Sequence, residues 1–184
     1  EYENSKGKTE KERLEAGTQL TVAPDDERLK YGRIIITPEG DEGIAVPTIE
    51  RSQGTPVYSG KMEIKACEEG LVLVNDLFLE DYLTRVVPSE MPPSYEKEAL
   101  KAQAVCARTY AYRQIQGNSY SQYGAHVDDS TNFQVYNNTN PDERTTQAVK
   151  ETYGKMLFYE DNPIDAFYFS TSCGHTADVS VWEL

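Results

Sequence analysis

Apolar residues are sparse over the first thirty positions and then arrive in short runs whose period changes along the chain. Residues 1–17 are dominated by Glu and Lys without a repeating pattern and read as a charged linker or arm. From Thr18 to about Ile49, β-prone runs such as Leu20-Thr21-Val22 and Arg33-Ile34-Ile35-Ile36 are punctuated by Pro38, Gly40, Gly43 and Pro47. Residues 18–60 are therefore expected to be a β-rich section, with no role assigned to it. Lys61-Met62-Glu63-Ile64-Lys65-Ala66 alternates charged and apolar positions, the period of a half-buried strand. Glu68-Glu69-Gly70 makes a turn, and the continuous run Leu71-Val72-Leu73-Val74 predicts a more buried strand after it.

At Leu77 the period becomes helical. Leu79, Tyr82, Leu83, Val86 and Val87 share one face, so the spacing predicts a short helix over 79–87 that Pro88 terminates. Pro92-Pro93-Ser94 follows, with Ser94 placed as the N-cap of a long helix over about Tyr95–Gln116. Its stripe of Leu100, Ala104, Ala107, Ala111 and Ile115 is small enough to admit a close neighbour, and Gly117 supplies the stop. Residues 117–139 are polar and predict a long loop with a short strand around Phe133–Tyr136. Asn140-Pro141-Asp142-Glu143 reads as a helix start, with Pro141 at the first position and Glu143 at the third, running to Tyr153. Lys155–Tyr159 and Ile164–Ser170 then predict a hairpin around Glu160-Asp161-Asn162-Pro163. The fold class is α+β: central helices around the Glu90 junction, attached antiparallel strands and a C-terminal hairpin.

Composition narrows the function classes. Eighteen basic against thirty-one acidic side chains give a formal charge of -13, which argues against nucleic acid as a partner, since no basic face is available to neutralise phosphates. Cys67, Cys106 and Cys173 are odd in number and widely spaced, so they outline no disulfide framework. No stretch has the length and apolarity of a membrane-spanning helix or the pattern of a signal peptide. The opening Glu1 points to a chain trimmed of an export or anchoring segment.

Four blocks carry a resemblance. They are Val74–Leu83 continuing into Val86-Val87-Pro88-Ser89-Glu90-Met91-Pro92, then Glu98–Tyr110, then Gln134-Val135-Tyr136, then Phe167-Tyr168-Phe169-Ser170-Thr171-Ser172-Cys173-Gly174-His175-Thr176 leading towards Val181-Trp182. In order and spacing they resemble the stage II sporulation protein D family from about Lys61 onward. Residues 61–184 are thus identified as similar to its catalytic domain, expected to continue beyond Leu184. The resemblance implies a peptidoglycan lytic transglycosylase, active in forespore engulfment, that cleaves the bond after N-acetylmuramic acid and leaves 1,6-anhydro ends. It implies glycan strands as substrate, stripped of stem peptides for some members, and a cell-wall amidase or other engulfment proteins as partners. It also implies an extracytoplasmic location facing the wall, anchored through an N-terminal segment.

The family's catalytic glutamate falls on Glu90. Flanking Val87, Pro88, Met91, Pro92, Pro93 and Tyr95 can press its carboxyl against apolar surface, and desolvation disfavours the charged form, the condition a general acid needs near neutral pH. Local chemistry alone equally allows a solvated glutamate at a helix end. For Ser170, Thr171, Ser172 and His175 the resemblance implies substrate contact; by themselves such residues are as often a turn with side-chain-to-backbone bonds. Gln134 and Tyr136 are candidates for an amide contact and a ring stacked on a sugar. Some members bind zinc through a Cys and a His-Cys pair. Val127, Asn132 and Phe133 stand at those places here, so neither a metal nor any other cofactor is expected. Two other readings compete: a non-catalytic glycan-binding or amidase-enhancing module, and a thiol enzyme pairing Cys173 or Cys106 with His175.

Overall fold

A computed structural model describes residues 1–180 except 41, 42, 52, 53, 138, 139, 177 and 179. Its organising sheet has three antiparallel strands in the order β3-β6-β7: β3 Arg33–Ile36, β6 Lys61–Cys67 and β7 Gly70–Asp76. The alternation expected in β6 is realised. Met62 and Ile64 are buried while Glu63 and Lys65 point away, and Ile34 faces Ile64 across the ladder. β7 is less buried than its apolar run predicts, with Leu73 exposed. It is an edge strand, and only the central β6 has neighbours on both sides.

Shorter pairs surround this sheet. β1 (Tyr2–Glu3) and β2 (Thr9–Glu10) form a ribbon within the segment expected as an arm. Glu1 exchanges two backbone hydrogen bonds of 2.8 Å with Ile35, which seats the ribbon on the edge of β3. Within residues 18–60, β4 (Ile44–Ala45) pairs with β5 (Val57–Tyr58), and a 3-10 turn spans Glu27–Leu29; Leu20-Thr21-Val22 forms no strand.

Three helices pack against one another: α1 Leu79–Glu90, α2 Lys97–Ile115 and α3 Glu143–Glu151. α1 does not stop at Pro88. The ring withholds one ladder hydrogen bond near the helix end, but Val86 and Val87 are fully buried, Met91 N–H still reaches the Val87 carbonyl, and the turn survives. Ser94 is no cap. It lies in a turn closed by Tyr95 N–H on the Pro92 carbonyl, and α2 starts after Glu96. α3 begins two residues later than its proline suggested. The Asp142 carboxylate accepts the Arg144 and Thr145 amides, so Pro141 precedes the cap.

One cluster joins the layers. Leu29, Ile34, Met62 and Ile64 meet Leu83, Val86 and Val87 of α1, Ala104 and Ala107 of α2, Val149 of α3, and Tyr136. The small side chains of α2 permit this approach, while Ile115, at the end of the expected stripe, is exposed. Arg108 is buried at 1% exposure and grips Glu80 of α1 through two 2.8 Å bonds, while also donating to the Val149 and Lys155 carbonyls. That pair ties all three helices together.

The C-terminal hairpin is shorter than expected. β8 (Phe158–Tyr159) pairs with β9 (Asn162–Pro163) around Glu160 and Asp161, both at positive φ. This two-residue turn draws Asn162 and Pro163 into the strand. Residues 164–170 find no strand partner among the described residues and run as irregular chain. The expected end at Val181-Trp182 lies outside the described residues.

Candidate active site

Glu90 is the last residue of α1 and is half-buried. Because α1 continues through Pro88, its final turn presents Ser89 and Glu90 to the segment Gln134–Asn137. That segment is extended but not a strand: the Val135 and Asn137 amides are taken by side chains of α1, and the Tyr136 amide by the Asp129 carbonyl. Val135 N–H donates to Glu90 Oε1 at 2.7 Å, and Asn137 N–H donates to Ser89 Oγ at 3.3 Å. Ser89 Oγ in turn donates to the Arg85 carbonyl at 2.6 Å. Gln134 and Tyr136, two positions apart on an extended chain, turn their side chains to the same face, which is the core.

Gln134 and Tyr136 are therefore buried, at 1% and 4% exposure, and neither is open to a sugar. The Gln134 amide donates to the Ala107 carbonyl and to the Tyr168 hydroxyl, and accepts from the Tyr82 hydroxyl. Tyr136 stacks on Tyr82 with ring centroids 5.4 Å apart and planes 5° from parallel. Its ring is thus already covered by protein. Its hydroxyl has no hydrogen-bond partner among the described residues, and burial pushes it up to about 12.

Tyr82 and Tyr168 are the residues that sequence reasoning passed over. The Tyr168 hydroxyl accepts from the Gln134 amide at 3.0 Å, and burial raises both phenols well above the ordinary tyrosine value. Two signals were available. Tyr82 sits on the apolar face of α1, where a phenol needs a partner for its hydroxyl. Tyr168 stands between Phe167 and Phe169, which are 63% and 61% exposed, so the alternation turns Tyr168 alone inward.

Ser170, Thr171, Ser172 and His175 are all exposed, and none hydrogen-bonds to Glu90 among the described residues. Ser172 Oγ accepts the Gly174 amide at 3.0 Å and faces the His175 carbonyl at 3.4 Å, the arrangement of a side-chain-stabilised turn. Two surface depressions of about 260 and 320 Å³ lie elsewhere: one beside Leu29 and Ala66, the other between Lys101 and Lys155.

At the three loop positions compared above with a zinc site, the side chains offer neither thiol nor imidazole donors. Val127 carries none, and the Phe133 ring packs on Tyr120 at 5.6 Å. Asp128 organises this loop instead, accepting from the Ser130 amide and hydroxyl, the Tyr120 hydroxyl and the Asn132 amide. No group of three or more metal-binding side chains occurs among the described residues. The cysteines are unpaired; Cys173 is exposed, and burial pushes the Cys106 thiol up, away from the thiolate a nucleophile needs.

Comparison of the sequence with known proteins finds relatives. The family model described as "Stage II sporulation protein" matches residues 67–159, a stretch that includes Glu90, Gln134 and Tyr136. "Stage II sporulation protein D" of Bacillus subtilis is 40% identical over 156 residues, covering 77% of this chain and 46% of that protein. Its counterpart in Bacillus amyloliquefaciens is 41% identical over 123 residues, 59% of this chain and 36% of that protein. The "Amidase enhancer" of Bacillus subtilis is 45% identical over 101 residues, 54% of this chain and 13% of that protein. The chain thus spans less than half the length of these relatives.

Proposed function

The chain belongs to the stage II sporulation protein D family, and from that premise we propose that it is a peptidoglycan lytic transglycosylase with Glu90 as its single acid and base. The observation that carries this reading is the setting of Glu90. It is a half-buried carboxyl at a helix end, with one oxygen held by a backbone amide.

The chemistry needs no second carboxylate. Protonated Glu90 gives its proton to the glycosidic oxygen as the bond from muramic C1 to that oxygen breaks, and the N-acetylglucosamine unit leaves as an alcohol. The muramic 6-hydroxyl closes on the oxocarbenium-like C1, and its proton returns to the Glu90 carboxylate. No water is consumed. An ordinary glycosidase uses a second carboxylate as nucleophile or to activate water; here the substrate supplies the attacking oxygen. The Val135 amide hydrogen-bonds the carboxylate in the interval when it carries charge. The substrate class puts the protein on the wall-facing side of the membrane, with peptidoglycan glycan strands as its partner during engulfment. Among the described residues no helix is long and apolar enough to cross a membrane.

Mass spectrometry of peptidoglycan incubated with wild type and Glu90→Gln tests the proposal. Anhydro-muramic ends from the wild type alone are expected, whereas reducing ends would make the protein a hydrolase. A second reading, a glycan-binding module that enhances an amidase, is favoured by the likeness to the amidase enhancer. It predicts that Glu90→Gln leaves stimulation of a wall amidase intact.

A further inference from the structure

Residues 18–60 precede the stretch that the family model matches, yet they reach the loop that serves the acid. Arg51 lies in this section between β4 and β5, where its backbone bridges to Gly54. Its guanidinium pairs through Nη2 with the Asp129 carboxylate, 78 positions further along the chain. The Asp129 carbonyl in turn accepts the Tyr136 amide at 3.4 Å. The amides on either side of Tyr136 are those of Val135 and Asn137, which donate to Glu90 Oε1 and Ser89 Oγ. The same section also meets Tyr136 from within, since Tyr58 of β5 belongs to the core cluster that encloses it. A second cation grips the loop further back: Lys65 Nζ donates to the Gln122 carbonyl at 3.1 Å.

We infer that Arg51 is a positioning residue for the acid: by pinning Asp129 it holds the extended segment whose Val135 amide bonds Glu90. The inference rests on the acid/base role proposed for Glu90. Residues 134–137 belong to no strand, so a contact from outside the segment has to set where their backbone passes. Two features set Arg51 apart from an ordinary stabilising pair. Its Nε is buried with no hydrogen-bond partner among the described residues, which costs stability. The Arg51 and Asp129 side chains are 30% and 40% exposed, and an ion pair so open to water adds little to the stability of the whole. Its effect is therefore local, on the segment it holds.

Amide hydrogen exchange read residue by residue by NMR, with urea unfolding of the same variants, is the test. Arg51→Met removes the charge and keeps much of the side chain's length. Val135 and Asn137 should then exchange about three- to fivefold faster, while the amides of α2 and the urea midpoint stay in place. Arg51→Glu sets a second carboxylate against Asp129 and should speed exchange further. Adding Asp129→Lys to it restores an attraction and should bring both amides back towards wild-type exchange. An unmoved Val135 amide in the two single variants overturns the inference. So does faster exchange that spreads equally through α2, the mark of general loosening. In turnover, kcat for anhydro ends should fall by a similar factor in Arg51→Met with KM unchanged, and recover in the swapped pair. An unchanged kcat beside faster exchange overturns the positioning role. A wild type that releases no anhydro ends defeats the proposed reaction, while exchange at Val135 still decides whether Arg51 holds the segment.

Discussion

The amide of Val135 donates to Oε1 of Glu90 at 2.7 Å, joining the last residue of α1 to a loop 45 positions further along the chain. Glutamine at position 90 keeps an oxygen for that amide and loses only the transferable proton. Glu90→Gln should therefore fold with a stability change within about 1 kcal/mol. Formation of anhydro-muramic ends should fall by about 10²- to 10⁴-fold, the usual contribution of a positioned acid or base. Urea unfolding and product analysis of the same preparation check both parts.

The Arg108–Glu80 pair carries a larger stability consequence. With Arg108 at 1% exposure, Glu80→Ala leaves a buried guanidinium without its counterion, and a cost of about 3–5 kcal/mol is expected. Replacing both partners by apolar residues, as Arg108→Met with Glu80→Leu, should recover much of that loss. Urea midpoints of the single and double variants provide the measurement.

Tyr136→Phe should go the other way. Its hydroxyl is buried without a hydrogen-bond partner among the described residues, so removing it relieves an unsatisfied group and leaves the stack on Tyr82 intact. A neutral or stabilising change of up to about 1 kcal/mol is expected. Glycan cleavage should be unaltered, whereas a hydroxyl that touched the sugar would show itself by a raised KM.

Acid should destabilise the protein through two carboxylates. The Arg28 side chain, assisted by its amide, holds Asp26 down at about 2 from an ordinary 3.8. Hydrogen bonds from Lys97, then Gln147 and Lys101, hold Glu151 at about 2 from 4.5. Both groups are lowered in the fold, so their stabilisation is present above the ordinary values and is lost as pH falls from 4.5 towards about 2. The melting temperature should decline across that window. Glu151→Gln combined with Asp26→Asn should flatten the decline, and added salt should weaken it because these pairs face solvent.

Iodoacetamide should modify Cys173 first, since it is exposed, while Cys67 and Cys106 are partly buried. Adduct mapping by mass spectrometry should show this order. Glycan cleavage should survive, because the proposed chemistry uses no thiol; loss of activity in step with Cys173 modification, together with an untreated Cys173→Ser that is already inactive, would revive the cysteine reading.

Much of the fold was legible locally. The period-two pattern of Lys61–Ala66, the turn at Glu68-Glu69-Gly70 and the helical spacing after Leu77 each reflect a side-chain repeat that a single element imposes on its own sequence. Local rules failed where burial outweighed them. Pro88 signals an end to α1, yet the enclosure of Val86 and Val87 carries the helix on to Glu90.

The sequence by itself determined the class of the fold, the course of the strands and helices around the sheet, and, through its motifs, the family and the position of the candidate acid. It did not determine which way Gln134, Tyr136 and Tyr168 face. Those residues lie in segments without a regular ladder, where direction is set by whichever surface packs against the chain. Only the tertiary structure brought the end of α1 to the Val135 amide, and the Ala107 carbonyl and Tyr168 to the side chain of Gln134. Hydrogen bonds between groups 27 to 45 residues apart leave no periodic trace in a sequence; they exist once the hydrophobic core has fixed where each backbone passes.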